Sequence, residues 1–285
     1  MLVVLKKRVW QVVLLLAMAL GVCYANSQAE EYYKMAKSYD ENKDYAKALQ
    51  YLQKAADMGD ARAYYTLGVL YTQGEKVEKA YFKAVQYFQK AAEMGIVEAY
   101  TNLGLMYHNG EGVVKDYSKA LQYFQKAAEM GSAKAYGMMG GMYENGEGVK
   151  KDYSKALQYY QKAAEMGSAK AYGMMGLMYD MGKGVEQDYS KALQYYQKAA
   201  EMGNADAYNS LGIMYNIGKG VEQDYSKALQ YYQKAAEMGN AFSYYNLGVM
   251  YKKGYGVGQD KEMADQYFKK ACALGYQQGC NNLKP

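Results

Sequence analysis

Residues 152–167 read D-Y-S-K-A-L-Q-Y-Y-Q-K-A-A-E-M-G, and the same run recurs unchanged at 188–203 and 224–239. With Phe124 in place of one tyrosine it also fills 116–131. Gly95, Gly131, Gly167, Gly203, Gly239 and Gly275 each close a copy or near-copy, 36 residues apart. A fixed period of this length marks a stacked array of small units, each of which needs its neighbours to bury its apolar face. Such an array is a shaped surface, which favours a binding groove over an enclosed catalytic pocket.

Apolar residues follow helical spacing throughout, and the only proline is Pro285. Glycine therefore supplies the punctuation. The pattern predicts first helices at about 28–41, 61–73, 97–109, 133–145, 169–181, 205–217 and 241–253. Second helices follow at about 44–58, 80–94, 116–130, 152–166, 188–202, 224–238 and 260–274, with a short cap at 277–283. Asp116, Asp152, Asp188, Asp224 and Asp260 stand where N-caps of the second helices belong. Asp60, Ser132, Ser168, Asn204 and Asn240 cap the first helices, each just after a glycine suited to a left-handed C′ residue. In the second unit Lys76 replaces a loop glycine and Ala80 replaces the capping Asp, which predicts a less ordered loop.

The motif A-Y-x-x-[LM]-G-x-M-Y-x-x-G-x-G-V-x-x-D-Y-S-K-A-L-x-Y-[FY]-x-K-A-A resembles the Sel1-like repeat, a relative of the tetratricopeptide repeat. The resemblance covers about residues 60–283. Residues 26–59 are closer to the shorter tetratricopeptide pattern, through Tyr32, Met35, Ala36, Tyr39, Ala48, Leu52 and Ala55. The expected fold is all-α, an α/α solenoid (a right-handed superhelix) of seven two-helix repeats. The expected division is 1–25 signal peptide, 26–59 first unit, 60–274 Sel1-like repeats and 275–285 cap.

Lys6, Lys7 and Arg8, the apolar stretch from Val9 to Leu20, and Cys23-Tyr24-Ala25 together read as a secretory signal. The apolar run is short for a membrane span. The expected location is exported, periplasmic or secreted, with no stable membrane span after cleavage. The formal net charge is +5; without those three cations, 31 Lys and Arg face 29 Asp and Glu, a balance of +2. That is too weak to attract nucleic acid, and no basic tract with interleaved aromatics stands outside the leader.

After such cleavage two cysteines remain, Cys272 and Cys280, and an even pair in an exported chain favours a disulfide. Their spacing also resembles that of the exported Helicobacter cysteine-rich proteins. Those carry such a pair in most repeats, whereas here only the last unit does. Some relatives of that kind have been assigned β-lactam binding or hydrolysis, so the resemblance implies a β-lactamase-like alternative. The residues themselves carry no catalytic constellation. His108 is the one histidine, and G-x-S-x-G, S-x-x-K, K-T-G and Walker-type loops are all absent. No metal or other cofactor is expected.

Comparing copies separates scaffold from variation. The second helices of units three to six are almost identical, while one stripe of the first helices varies strongly. By resemblance that stripe lines the concave side. It includes Tyr65, Thr101, Asn102, Asn209, Tyr245, Asn246 and Lys252, the expected contacts for a protein partner or extended peptide. Asn102 and Asn246 match an asparagine that related peptide-binding repeats use to hold a ligand backbone. An amide both donates to and accepts from a peptide bond. Glu144 and Asp180 fall on the same stripe, and Gly137, Gly141 and Gly173 would leave its middle open. The expected state is a monomeric, non-catalytic scaffold.

Overall fold

The computed structural model describes residues 26–283; the leader-like residues 1–25 and the division proposed for them lie outside the described residues. All regular structure among the described residues is helical. The chain divides into two compact units, the first ending at Ser132 and the second beginning at Ala133. The first contains α1 (26–41), α2 (Tyr45–Asp57), α3 (Ala61–Gln73), α4 (Tyr81–Glu93), α5 (Val97–Asn109) and α6 (Tyr117–Glu129). The second contains α7 (Ala133–Asn145), α8 (Tyr153–Glu165), α9 (Ala169–Met181), α10 (Tyr189–Glu201), α11 (Ala205–Ile217), α12 (Tyr225–Glu237), α13 (Ala241–Lys253), α14 (Lys261–Ala273) and α15 (Gln277–Asn282). Successive helices pair as hairpins, and within each unit a hairpin packs on the next.

Local chemistry sets the helix ends. Asp152 accepts from the Lys155 N–H and Asp188 from the Lys191 N–H, satisfying donors that the helix leaves open. Ser168, Asn204 and Asn240 do the same for α9, α11 and α13. The second helices end at a Met or Leu, and the glycine that follows has a positive φ, 88° at Gly167.

Each hairpin from α3–α4 onward closes on one contact. On α8, Ala156, Tyr160, Ala163 and Ala164 form the buried face. A Cβ added to Gly140 of α7 would lie 2.6 Å from the Tyr160 ring, so only glycine lets the two helices approach this closely. The same pairing joins Gly68 to Phe88, Gly104 to Phe124, Gly176 to Tyr196, Gly212 to Tyr232 and Gly248 to Phe268. Beside it runs an aromatic layer. The Tyr159 ring stacks on Tyr143 at 5.3 Å and on Tyr136 at 6.3 Å, and Lys155 lies 4.4 Å from the Tyr143 centroid. Tyrosine suits this place because its ring is apolar and its hydroxyl reaches water or a partner.

The divergent loop of the second hairpin, between α3 and α4, has a different anchor. Ala80 provides no side-chain cap. Lys76 instead reaches back to Asp40, its Nζ 2.6 Å and 2.7 Å from the two carboxylate oxygens, and the Ala80 N–H donates to Tyr71 O. The lysine that replaced a glycine thus ties the loop to the first hairpin.

The expected disulfide is present. Cys272 of α14 is bonded to Cys280 of α15, with Cα atoms 4.7 Å apart. It fastens the six-residue helix α15 to α14.

Candidate partner-binding face

Side chains on the outer stripe of each first helix are placed by helical register. In α9 that stripe is Lys170, Gly173, Met174, Leu177 and Met181, spaced by three and four residues. The stripes of α7, α11 and α13 begin likewise at Lys134, Asp206 and Phe242.

In the first unit, the Tyr65 ring packs 5.8 Å from the Phe88 ring, and its hydroxyl accepts from Asn102 Nδ2 at 3.5 Å. Thr101 corrects the sequence expectation. It is only 4% exposed, with its hydroxyl 3.2 Å from Ser132 Oγ and 3.4 Å from Val97 O. It therefore has no surface to offer a partner. One residue of helical rotation separates it from half-buried Asn102.

In the second unit, Asn209 Oδ1 accepts from Ser243 Oγ at 2.9 Å and from Asn246 Nδ2 at 3.0 Å. Asn240 Nδ2 donates to Asp206 Oδ1 at 2.8 Å. Tyr245 lies between Phe268 and Tyr276, with centroids 5.6 Å and 5.2 Å away. Lys252 is exposed but donates to Asn282 Oδ1 of α15 at 3.2 Å. The structure thus joins Tyr65 to Asn102 and Asn209 to Asn246, both pairs 37 residues apart. These polar side chains link neighbouring first helices. An amide with four hydrogen-bonding capacities keeps some of them after one such link.

Glu144 and Asp180 turn inward. Tyr160 donates to Glu144 Oε2 at 2.9 Å, and Lys183 Nζ meets Glu144 Oε1 at 3.1 Å. Lys219 Nζ lies 2.8 Å from Asp180 Oδ1. The Glu144 and Asp180 side chains keep only 11% and 18% of their surface. Each lysine comes from the G-K-G loop of the following hairpin, so these pairs tie one repeat to the next. Sequence reading missed Tyr160, Lys183 and Lys219 in this role, although a signal existed. Glu144, Asp180 and Asn216 accompany Tyr160, Tyr196 and Tyr232, whereas Thr72, His108 and Lys252 accompany Phe88, Phe124 and Phe268. Of these three tyrosines, Tyr160 donates to the polar residue that accompanies it, Glu144.

Burial pushes the phenols of Tyr160, Tyr196 and Tyr232 up, and Glu144 and Asp180 push the first two in the same direction. The folded state then keeps a proton that the unfolded chain loses near pH ~10. This contribution to stability is complete below about pH 10 and is lost as pH rises through the folded value. Tyr232 is the cleanest case, since burial alone accounts for its shift. Urea midpoints measured from about pH 9 to 11 should fall less steeply for Tyr232→Phe than for wild type. Parallel curves would show that this phenol carries no linkage.

The middle of the second unit presents a different surface. Met181, Ile213 and Ile217 are 54%, 39% and 56% exposed. Lys134 and Lys170 are exposed beside them in the register. A Cβ on Gly137 would meet nothing within 4 Å, and one on Gly141 or Gly173 would meet only atoms 3.8 Å or more away. Packing does not require these three glycines, and each costs about 1 kcal/mol in a helix relative to alanine. Among the described residues there is no group of three or more His, Cys, Asp and Glu placed to hold a metal. No helix among them is long and apolar enough to cross a membrane.

Comparison with known proteins agrees with this architecture. A Sel1 repeat protein from Oxalobacter formigenes is 37% identical, superposes with a TM-score of 0.79, and matches over 85% of this chain and 99% of that one. The protective antigen c5321 of uropathogenic Escherichia coli, which displays an SLR fold, is 34% identical with a TM-score of 0.76. That match covers 91% of this chain but 57% of the antigen. The Helicobacter pylori protein named "Putative beta-lactamase HcpC" is 41% identical over 75 residues. This chain spans about a quarter of HcpC, with 26% of each chain covered. The Sel1 repeat family model matches seven consecutive segments, 32–60, 61–96, 97–132, 133–168, 169–204, 205–240 and 241–276. Those segments follow the capped, glycine-closed hairpins one by one, and the chain belongs to the Sel1 repeat family.

Proposed function

We propose that this protein is an exported, monomeric, non-catalytic scaffold that binds an extended segment of a partner protein along its first-helix face. One observation carries the reading: the second helices α6, α8, α10 and α12 are nearly invariant, while the first helices vary at outer positions, several of which packing leaves free. Exposed Met181, Ile213 and Ile217 beside Gly137, Gly141 and Gly173 offer room and apolar contact in the second unit. Asn102 and Asn246 would hold partner backbone with the amide capacity that their inter-repeat links leave unused. Tyr65 stands beside Asn102 in the first unit, and Asn209 and Tyr245 stand beside Asn246 in the second, where Lys252 follows on the same helix. The Cys272–Cys280 bond supports export, because disulfides persist in oxidising compartments.

Crosslinking in intact cells followed by mass spectrometry tests the assignment. Ile213→Asp with Ile217→Asp, and separately Tyr245→Ala with Asn246→Ala, should lose a partner that wild type retains while keeping helical content. Retention of every partner by both variants would overturn the groove. β-Lactam binding or hydrolysis is a second reading, motivated only by the local identity to HcpC. Incubation with a chromogenic cephalosporin tests hydrolysis, and turnover no faster than background removes the enzyme. Equilibrium titration with a labelled penicillin tests binding.

A further inference from the structure

The first hairpin breaks the close-packing rule of the other six. Where they pair glycine with a ring, it pairs Ala36 of α1 with Leu52 of α2, both buried. Alanine prevents the closest approach, and leucine fills less space than Phe88 or Phe124 in the equivalent place. The result is a cavity of about 200 Å3 floored by Ala36, Leu49, Leu52 and Leu70. Its mouth carries Tyr33, Lys37 and the Lys76–Asp40 pair. Lys76 comes from the loop that departs from the repeat, so two departures from the consensus, 24 residues apart in sequence at positions 52 and 76, build one site.

Cavity size limits the occupant. An apolar cavity of ~150 Å3 accepts benzene, whereas sites for drug-sized molecules run to roughly 300–1,000 Å3. Charge limits it further. Lys37 is exposed and has no ion pair among the described residues, while Lys76 is offset by Asp40. The mouth therefore carries, above an apolar floor, a lysine that has no carboxylate partner and lies 5.3 Å from the Tyr33 ring centroid. A carboxylate would not enter the floor, where losing water is costly, but it could sit at the mouth with its apolar body inside. We infer that this cavity is a binding site for a small aromatic or branched-aliphatic carboxylate, held by its apolar body against Leu52 and Leu70 and by its charge at Lys37. None of the residues that line this cavity is among those proposed to contact the partner protein.

Phenylacetate is the probe. Calorimetric titration of the full chain should show saturable one-to-one binding. Ala36→Gly with Leu52→Phe installs the glycine–ring pair that the other hairpins use, so it should fill the cavity and weaken binding at least tenfold. Its thermal melt should stay cooperative. Lys37→Gln should weaken phenylacetate at least threefold and leave benzyl alcohol unchanged. Methyl resonances provide a readout that needs no variant, with phenylacetate shifting Leu49, Leu52, Leu70 and Val77 and leaving α9 and α11 unshifted. Absence of saturable binding, equal binding by the filled variant, or shifts centred elsewhere would overturn the site.

Discussion

Gly140→Ala should destabilise the protein by about 1–3 kcal/mol, while Gly141→Ala, one residue later on the same helix, should stabilise it by roughly 0.5–1 kcal/mol. Both substitutions gain the same helix propensity. They differ in what the new methyl meets. At Gly140 it would lie 2.6 Å from the Tyr160 ring, below any normal carbon contact. That ring cannot retreat cheaply, because Tyr160 is 3% exposed and donates to Glu144. At Gly141 the nearest neighbour would be the Tyr160 hydroxyl at 3.8 Å, an ordinary contact. Urea unfolding of the two variants beside wild type measures the difference. Equal shifts, or stabilisation by Gly140→Ala, would disprove the glycine–ring account of hairpin closure. The same comparison bears on function: if Gly141→Ala stabilises the fold yet weakens partner capture, the glycine serves the open face.

Replacing Cys272 and Cys280 by serine should cost about 2–3 kcal/mol on the chain-entropy model for so short a loop. The loss should be local at first. Helix α15 is six residues long and packs on α14, with Tyr276 at its start lying against Phe242 and Tyr245. Six residues bury little apolar surface, so the open states of α15 are the first to be populated. Hydrogen exchange should quicken at Gly279 and Asn281 before it changes in α9 and α10. Uniform acceleration across the second unit would instead mean that the bond governs global unfolding. Loss of the cap would also free Lys252 from Asn282 and uncover Tyr245, so partner binding at that end should weaken along with it.

The helix boundaries, the hairpin order and the cysteine bond were legible in the residues, and each has a local cause. An Asp before Y-S-K-A-L caps the helix that follows it, and a glycine after Met takes a positive φ, whatever lies elsewhere in the chain. Repetition copies these local rules into every unit, so one correct reading serves for all. The glycines opposite Phe or Tyr were also recognisable as sites of close approach. The identity of the candidate face was less legible. Helical register placed Thr101, Glu144 and Asp180 on the variable stripe, yet Thr101 is buried and both carboxylates are held by lysines from the next loop. Those outcomes depend on side chains 31 to 39 residues apart meeting across neighbouring hairpins. No local rule reports such a meeting. The same holds for the cavity, which exists because Ala36, Leu52 and the Lys76 loop converge from three segments. By itself the sequence determined where each helix begins and ends and that the helices repeat, because caps and turns act over a few residues. Only the tertiary structure decided which outer side chains remain free, because that depends on what the adjacent repeat places against them.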